Sequence, residues 1–180
     1  MDTLYRFGFG ALHEWIFARA GFLVVSVIFL ATWFAYIVGA LYLLPLGKMK
    51  SVHARLIYVA EGLFAALFAR FGLVEFIRLF IPTTRPYVTL AFTPLIEPVL
   101  QLSFPSGHVA VLSALAFVAL RTHRKYGLFL LLCAVLVGAA RVLVGVHYPM
   151  DIIGGLGVGF VAAFLIHTVF QVFLKGNGSR

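Results

Sequence analysis

His147 and Asp151 stand four residues apart, and Arg141 precedes His147 by six. At that spacing, in the first turn of a helix whose N1 residue is Pro149, a carboxylate can accept an imidazole N–H, fix the tautomer and stabilise the cation that forms. His108 follows Pro105-Ser106-Gly107, and Arg78 lies seven residues before Arg85-Pro86. Two histidines supply what transfer chemistry requires, a nucleophile and a proton donor. Three arginines are planar, permanently charged forks that match phosphate oxygens. Ser106 can cap the helix that Gly107 opens, and Gly107 lets the backbone approach an anion, where free N–H groups and the helix dipole favour negative charge. The set suits phosphoryl transfer through a phosphohistidine. A His/His/Asp metal site is the rival reading. Three nearby arginines would repel a divalent cation, and the chain has neither an HExxH motif nor a cysteine pair.

These clusters must reach one place from distant parts of the chain, and the composition says how. Of 180 residues, 63% are hydrophobic and 11% charged. A soluble domain has about 45–50% apolar and about 25% charged residues. With a mean hydropathy of +1.07, a soluble globule, a disordered chain and a disulfide scaffold are excluded. The single cysteine, Cys133, excludes an internal disulfide. The net charge of +8 belongs to loops rather than to a nucleic-acid surface, because no basic stripe interleaves with exposed aromatics.

Polar breaks divide the chain into apolar runs at about 20–46, 56–81, 106–120, 126–146 and 149–174. Open backbone has no partners in hydrocarbon, so runs of this kind are read as five transmembrane helices. In residues 1–18, Leu4, Phe7, Leu12, Trp15 and Ile16 recur at helical spacing between Arg6, His13 and Glu14. That stretch is too charged to span and suits an interfacial helix rather than a signal peptide. The expected fold class is all-α, a polytopic bundle forming one domain over residues 1–180. The 48–55 loop, the 121–125 loop and the C-terminal tail carry three, three and two Lys/Arg. Such loops stay in the cytoplasm. The C-terminus is therefore expected inside, with the connection from Pro82 to Pro105 and the turn at 147–151 outside. The ends of four helices then bring the arginines, histidines and Asp151 to that outer face. Ionisable groups at such depth are functional candidates.

These residues resemble the type-2 phosphatidic acid phosphatase family, whose signatures are Lys-x6-Arg-Pro, Pro-Ser-Gly-His and Ser-Arg-x5-His-x3-Asp. Here they read Arg78-x6-Arg85-Pro86, Pro105-Ser106-Gly107-His108 and Ala140-Arg141-x5-His147-x3-Asp151, within a resemblance covering about residues 54–174. Arg78 stands for the usual Lys, and Ala140 for the usual Ser. The resemblance implies that His147 attacks phosphorus, oriented by Asp151. It implies that His108 protonates the leaving oxygen and then activates water. Arg78, Arg85, Arg141, Ser106 and the backbone at Gly107 would hold the phosphate oxygens. No metal or other cofactor is implied.

An outward site in a nearly all-membrane chain predicts a lipid with its phosphate at the headgroup level. The small size resembles that of the bacterial members of the family that act on undecaprenyl pyrophosphate. These recycle the cell-wall carrier and so bear on bacitracin resistance, which implies a bacterial inner membrane. Phosphatidylglycerol phosphate, phosphatidic acid and the 1-phosphate of lipid A are the alternative substrates, and a catalytically silent lipid-phosphate binder is the alternative class. Arg70 and Glu61 lie within the second run and Glu75 near its outer end; Arg70 and Glu75 are expected to support each other and the bundle, with a substrate role as the alternative. Glu97 and Gln101 sit in the outer connection close to Pro105, where Glu97 either is solvated, borders the lipid headgroup or helps place Arg85. His13, His53, His123 and His167 receive no role. Gly155 and Gly159, extended by Gly154 and Gly157, read as a close helix-packing seam.

Overall fold

The computed structural model describes residues 21–98 and 102–177. The proposed interfacial helix at 1–18 and Gln101 lie outside the described residues. The described chain is all-helical, with no strand. The first apolar run forms α1 (Phe22–Thr32) and α2 (Phe34–Leu41), continued by a tight turn at Leu44–Lys48. The second run forms α3 (Val52–Leu67), a wide turn at Phe68–Leu73, and α4 (Val74–Phe80). A short α5 (Pro86–Thr89) interrupts the connection. Then come α6 (Gly107–Thr122), α7 (Arg124–Leu143) and α8 (Pro149–Asn177).

The first run was expected to be one unbroken helix, and it bends by 48° around Trp33. Thr32 Oγ1 donates to the Ile28 carbonyl at 2.7 Å, a back-bond that bends helices. At the same point Arg141 Nη1 donates to the Ala31 carbonyl at 2.9 Å. A long side chain inserted into the backbone ladder is a known cause of a kink. The second run also departs from a plain helix, because it widens by one residue per turn over Phe68–Leu73. Wide turns of this kind are frequently found at functional sites. Residues of both runs lay within helical expectation, but neither irregularity is written in the hydrophobic pattern.

α6 is the hub, packed against α7, α8 and α3. Its inner face is small: Ala110, Ala114, Ala116 and Ala119 are all fully buried. Without a hydrophobic drive between helices in lipid, such residues gain by close approach. Gly159 shows how close, since a Cβ there would lie 1.9 Å from Ser113 Oγ and 2.6 Å from the Ala110 carbonyl. The expected seam on α8 therefore packs against α6 through Gly155 and Gly159. Gly157 does not belong to it, because nothing lies within 4 Å of its Cβ position.

Far from the histidine cluster, a polar clamp crosses the bundle. Glu61 on α3 accepts from Arg121 Nη2 on α6 and lies 2.8 Å from His167 Nδ1 on α8. Tyr42 and Tyr58 stack at 4.4 Å, each hydroxyl donating to the other's carbonyl. Around the outside, large side chains such as Phe22, Phe71, Leu79 and Phe164 stand exposed. An apolar exterior this extensive belongs in a membrane. α7 and the Pro149–Leu174 part of α8 are long and apolar enough to cross one, and the bent first pair adds a third candidate span.

Candidate active site

The turn between α7 and α8 sets the centre of the site. Pro149 opens α8, and this puts Asp151 in the first turn. Asp151 Oδ2 lies 3.1 Å from His147 Nδ1 and accepts from the Tyr148 amide at 2.8 Å. It also accepts from Ser103 Oγ, which itself lies 3.4 Å from His147 Nδ1. A carboxylate facing Nδ1 keeps the proton there, so the lone pair of the imidazole is on Nε2. His147 and Asp151 are each 1% exposed. Burial pushes the His147 imidazole below its usual value, against the Asp151 hydrogen bond that raises it. The ring is thus neutral near pH 7, with Nε2 available as a nucleophile.

Backbone bonds weld the other elements to this turn. The Ser106 amide donates to the Asp151 carbonyl at 3.0 Å, the Ser103 amide to Thr83 at 2.8 Å, and the Leu95 amide to Val144 at 3.1 Å. The connection before α6 is thereby held against the start of α8. Arg85 Nη1 donates to the Val146 carbonyl at 2.9 Å, directly before His147. Arg78 Nη2 reaches the Pro105 carbonyl at 3.4 Å. His108, in the first turn of α6, is within electrostatic range of Arg141, His147, Arg70 and Arg85. The three sequence clusters do meet at one end of the bundle.

The three arginines are 4–6% exposed, and two of them, Arg78 and Arg141, are not fully spent on protein partners. Arg78 Nε, Arg141 Nε and Ser106 Oγ are buried without a hydrogen-bond partner. An unsatisfied buried donor costs about 1–3 kcal/mol, and more when charged. Anionic oxygens are the acceptors that would relieve all three. Ser106 was expected to cap α6 through its side chain. It occupies the N-cap position but makes no side-chain cap bond. Although Ser106 has the β-region backbone usual at an N-cap, its hydroxyl is buried and unused.

Two residues matter here more than the sequence suggested. Ser103 is fully buried and bonded to Asp151. Its only signal is a polar residue between Leu102 and Phe104, just before the Pro105 motif. Arg70 was read as a bundle support paired with Glu75, and that bond is present. The wide turn also lays its side chain along Gly107, where a Cβ would come within 3.1 Å of Arg70 Cδ. Gly107 thus leaves room beside an arginine side chain that would have to shift slightly to admit a Cβ. Glu97 is exposed. Ala140 packs with Ala31, Val144 and Val146 in an apolar cluster behind Arg141. Among the described residues, no three His, Cys, Asp or Glu side chains gather as metal ligands.

Residues 57–175 match the PAP2 superfamily. The chain is 32% identical over 142 residues to Undecaprenyl-diphosphatase BcrC of Bacillus subtilis (strain 168), covering 78% of this chain and 72% of that protein. It is 34% identical over 84 residues to a Lipid A 1-phosphatase of Rhizobium etli, covering 47% of this chain and 36% of that one. The crystal structure of Aquifex aeolicus LpxE superposes with a TM-score of 0.66 at 24% identity, over 88% of this chain and 93% of that one. With a match across this length and a buried His–Asp pair among arginines at its centre, the chain belongs to the PAP2 superfamily and is a membrane phosphatase.

Proposed function

We propose that the protein is a metal-independent lipid phosphatase working through a phosphohistidine, with undecaprenyl pyrophosphate as substrate. The observation that carries this reading is the His147–Asp151 pair, hydrogen-bonded and buried, beside orphaned arginine and serine donors. In the first step His147 Nε2 attacks phosphorus and the P–O bond to the leaving group breaks. His108 gives its proton to the departing oxygen. Asp151 holds Nδ1–H and stabilises the charge that develops on the ring. In the second step His108 takes a proton from water, the water oxygen attacks phosphorus, and the N–P electron pair returns to His147. Inorganic phosphate and undecaprenyl phosphate leave. Arg78, Arg85, Arg141, Ser106 and the Gly107 amide hold the equatorial oxygens, so positioning and charge stabilisation supply most of the acceleration.

The topology that goes with this chemistry is five spans in one membrane domain over residues 1–180, with an interfacial N-terminal helix. The bent α1–α2 pair, α3 through α4, α6, α7 and α8 would each cross a bacterial inner membrane. The site faces outward and the C-terminus inward, which is supported by Lys48, Arg124 and Lys125 gathering at the end opposite His147. A cysteine placed in the 121–125 loop should be labelled only from the cytoplasmic side, and labelling from outside would invert this arrangement.

Undecaprenyl pyrophosphate is favoured by the Bacillus relative, of which the chain covers 72%, against 36% of the Rhizobium lipid A phosphatase. The 1-phosphate of lipid A is the second reading, favoured by the Rhizobium relative. Phosphatidylglycerol phosphate and phosphatidic acid complete the test panel. The deciding experiment is phosphate release by detergent-purified protein without added metal, with His147→Ala alongside. Selective release lost in the variant fixes reaction and substrate together. Lipid binding without release by the wild type would make the protein a silent lipid-phosphate binder.

A further inference from the structure

The end of the bundle away from His147 holds a second concave site. A cavity of about 650 Å³ lies between the turn after α2 and the start of α7. Lys48, His123, Arg124 and Lys125 line it, together with Leu44, Pro45 and Tyr126. Its two walls are fixed to each other, because Tyr126 Oη donates to the Leu41 carbonyl. Arg124 and Arg141 stand at opposite ends of α7, about 25 Å apart at 1.5 Å per residue, so this cavity is separate from the arginine cluster.

The basic groups here have no counter-ion among the described residues. Among the described residues, Glu61 is taken by Arg121 and His167, Glu75 by Arg70 and Arg78, and Asp151 by His147 and Ser103. Glu97 lies in the connection whose Leu95 amide bonds to Val144, at the other end. Among the described residues, no ion pair reaches Lys48, Arg124 or Lys125. α7 also opens on this cavity with no acidic residue in its first turn and no side-chain cap, so its first N–H groups add to the positive potential. Three permanent or near-permanent cations around one open cavity call for an anion.

The remaining lining says which kind. Pro45 is buried, Leu44 is 62% exposed, and Leu43 beside it is 46% exposed. A free anion in water gains nothing from exposed leucines, whereas an amphiphile uses both halves of such a site. The basic residues also sit where apolar helices end, which is the depth of a lipid phosphate. We infer that this cavity binds an anionic phospholipid of the leaflet it faces, with Lys48, Arg124 and Lys125 on the headgroup phosphate and the acyl chains along Leu43 and Leu44. Basic pockets between membrane helices hold anionic headgroups in this way. The inference rests on the membrane setting and not on the phosphatase chemistry. A bound lipid would pin the end of the first run to the start of α7.

The test is retention of phosphatidylglycerol by the full-length, detergent-purified protein, read as adducts in native mass spectrometry, with phosphatidylcholine as the zwitterionic control. Phosphatidylglycerol should be retained and phosphatidylcholine lost. Each basic residue neutralised should weaken retention about fivefold, and Lys48→Gln with Arg124→Gln and Lys125→Gln about a hundredfold. If the triple variant does not purify, Lys48→Gln alone, at an exposed turn residue, carries the fivefold test. Arg85→Gln, at the other end, should leave the adduct in place. Equal retention by the triple or single Lys48 variant and the wild type overturns the site. Loss of the adduct in Arg85→Gln would place the lipid in the histidine cluster instead. Displacement of the lipid by millimolar inorganic phosphate would make this a free-anion site and overturn the lipid assignment.

Discussion

Glu75 Oε1 accepts hydrogen bonds from both Arg70 Nη1 and Arg78 Nη1, the latter at 3.1 Å. One carboxylate thus ties the wide turn of the second run to the first arginine of the phosphate motif. It also spends one donor of Arg78 while leaving Nε orphaned and buried. The pairing explains why an arginine serves at position 78. A lysine has a single nitrogen, and could not bond Glu75, reach the Pro105 carbonyl and keep a further donor fixed in one plane.

Glu75→Gln should lower kcat/KM about tenfold, the worth of about 1.4 kcal/mol for a hydrogen bond to a charged group. Arg70→Ala should cost a similar factor if it acts through the same carboxylate. The double variant should then lose less than the product of the two, with a coupling of about 0.5–3 kcal/mol. Strict additivity in this cycle would separate Arg70 from Arg78 and assign Arg70 a contact of its own.

Ser103→Ala should act on His147 through Asp151. With one donor removed, the Asp151 carboxylate keeps more of its charge for the imidazole and stabilises the protonated ring. The His147 pKa, held low by burial, then rises. Because the nucleophile must be neutral, the acid limb of the kcat/KM–pH profile should move to higher pH. A lower rate with an unmoved limb would leave Ser103 as packing alone. Stability should fall by about 1–2 kcal/mol in either case, since the serine bond is buried.

Much of this site was legible because its chemistry is expensive in a membrane. Arg78, Arg85, Arg141, His147 and Asp151 stand out in apolar surroundings, and the packed helices bring them to one end of the bundle. What stayed hidden were features with no periodic signature. The kink at Trp33 arises from Thr32 and from a guanidinium more than a hundred residues away. The wide turn at Phe68–Leu73 reads in sequence as ordinary helix and gives no sign that Arg70 also lies along Gly107. Ser106 occupied its expected position with its hydroxyl unused for capping. Ser103 is one serine in a connection, and only the fold carries it to Asp151.

The packing of α6 on α8 can be tested apart from catalysis. Gly159→Ala forces a methyl into Ser113 Oγ and the Ala110 carbonyl, and overpacking of this kind costs about 1–3 kcal/mol. Gly157→Ala meets open space and should be neutral or slightly stabilising, because alanine favours helix over glycine by about 1 kcal/mol. Thermal unfolding of the two purified variants in detergent would compare them directly. Equal melting temperatures would remove Gly159 from the helix seam.

Arg141 combines two duties that a lysine cannot share. Its Nη1 holds the Ala31 carbonyl at the bend of the first run, and its Nε remains for a ligand oxygen. Arg141→Lys keeps the charge but must give up one of these contacts. Vanadate, which mimics the five-coordinate phosphorus of the transfer step, should inhibit the wild type. In Arg141→Lys its inhibition constant should rise about tenfold or more, the loss of one charged hydrogen bond of about 1.5–3 kcal/mol. EDTA should leave the wild-type rate unchanged, since arginine forks supply the positive charge at the site. Loss of activity in EDTA, restored by a divalent cation, would instead require a metal beside His147 and Asp151. Unchanged vanadate inhibition in Arg141→Lys would confine Arg141 to its contact with Ala31.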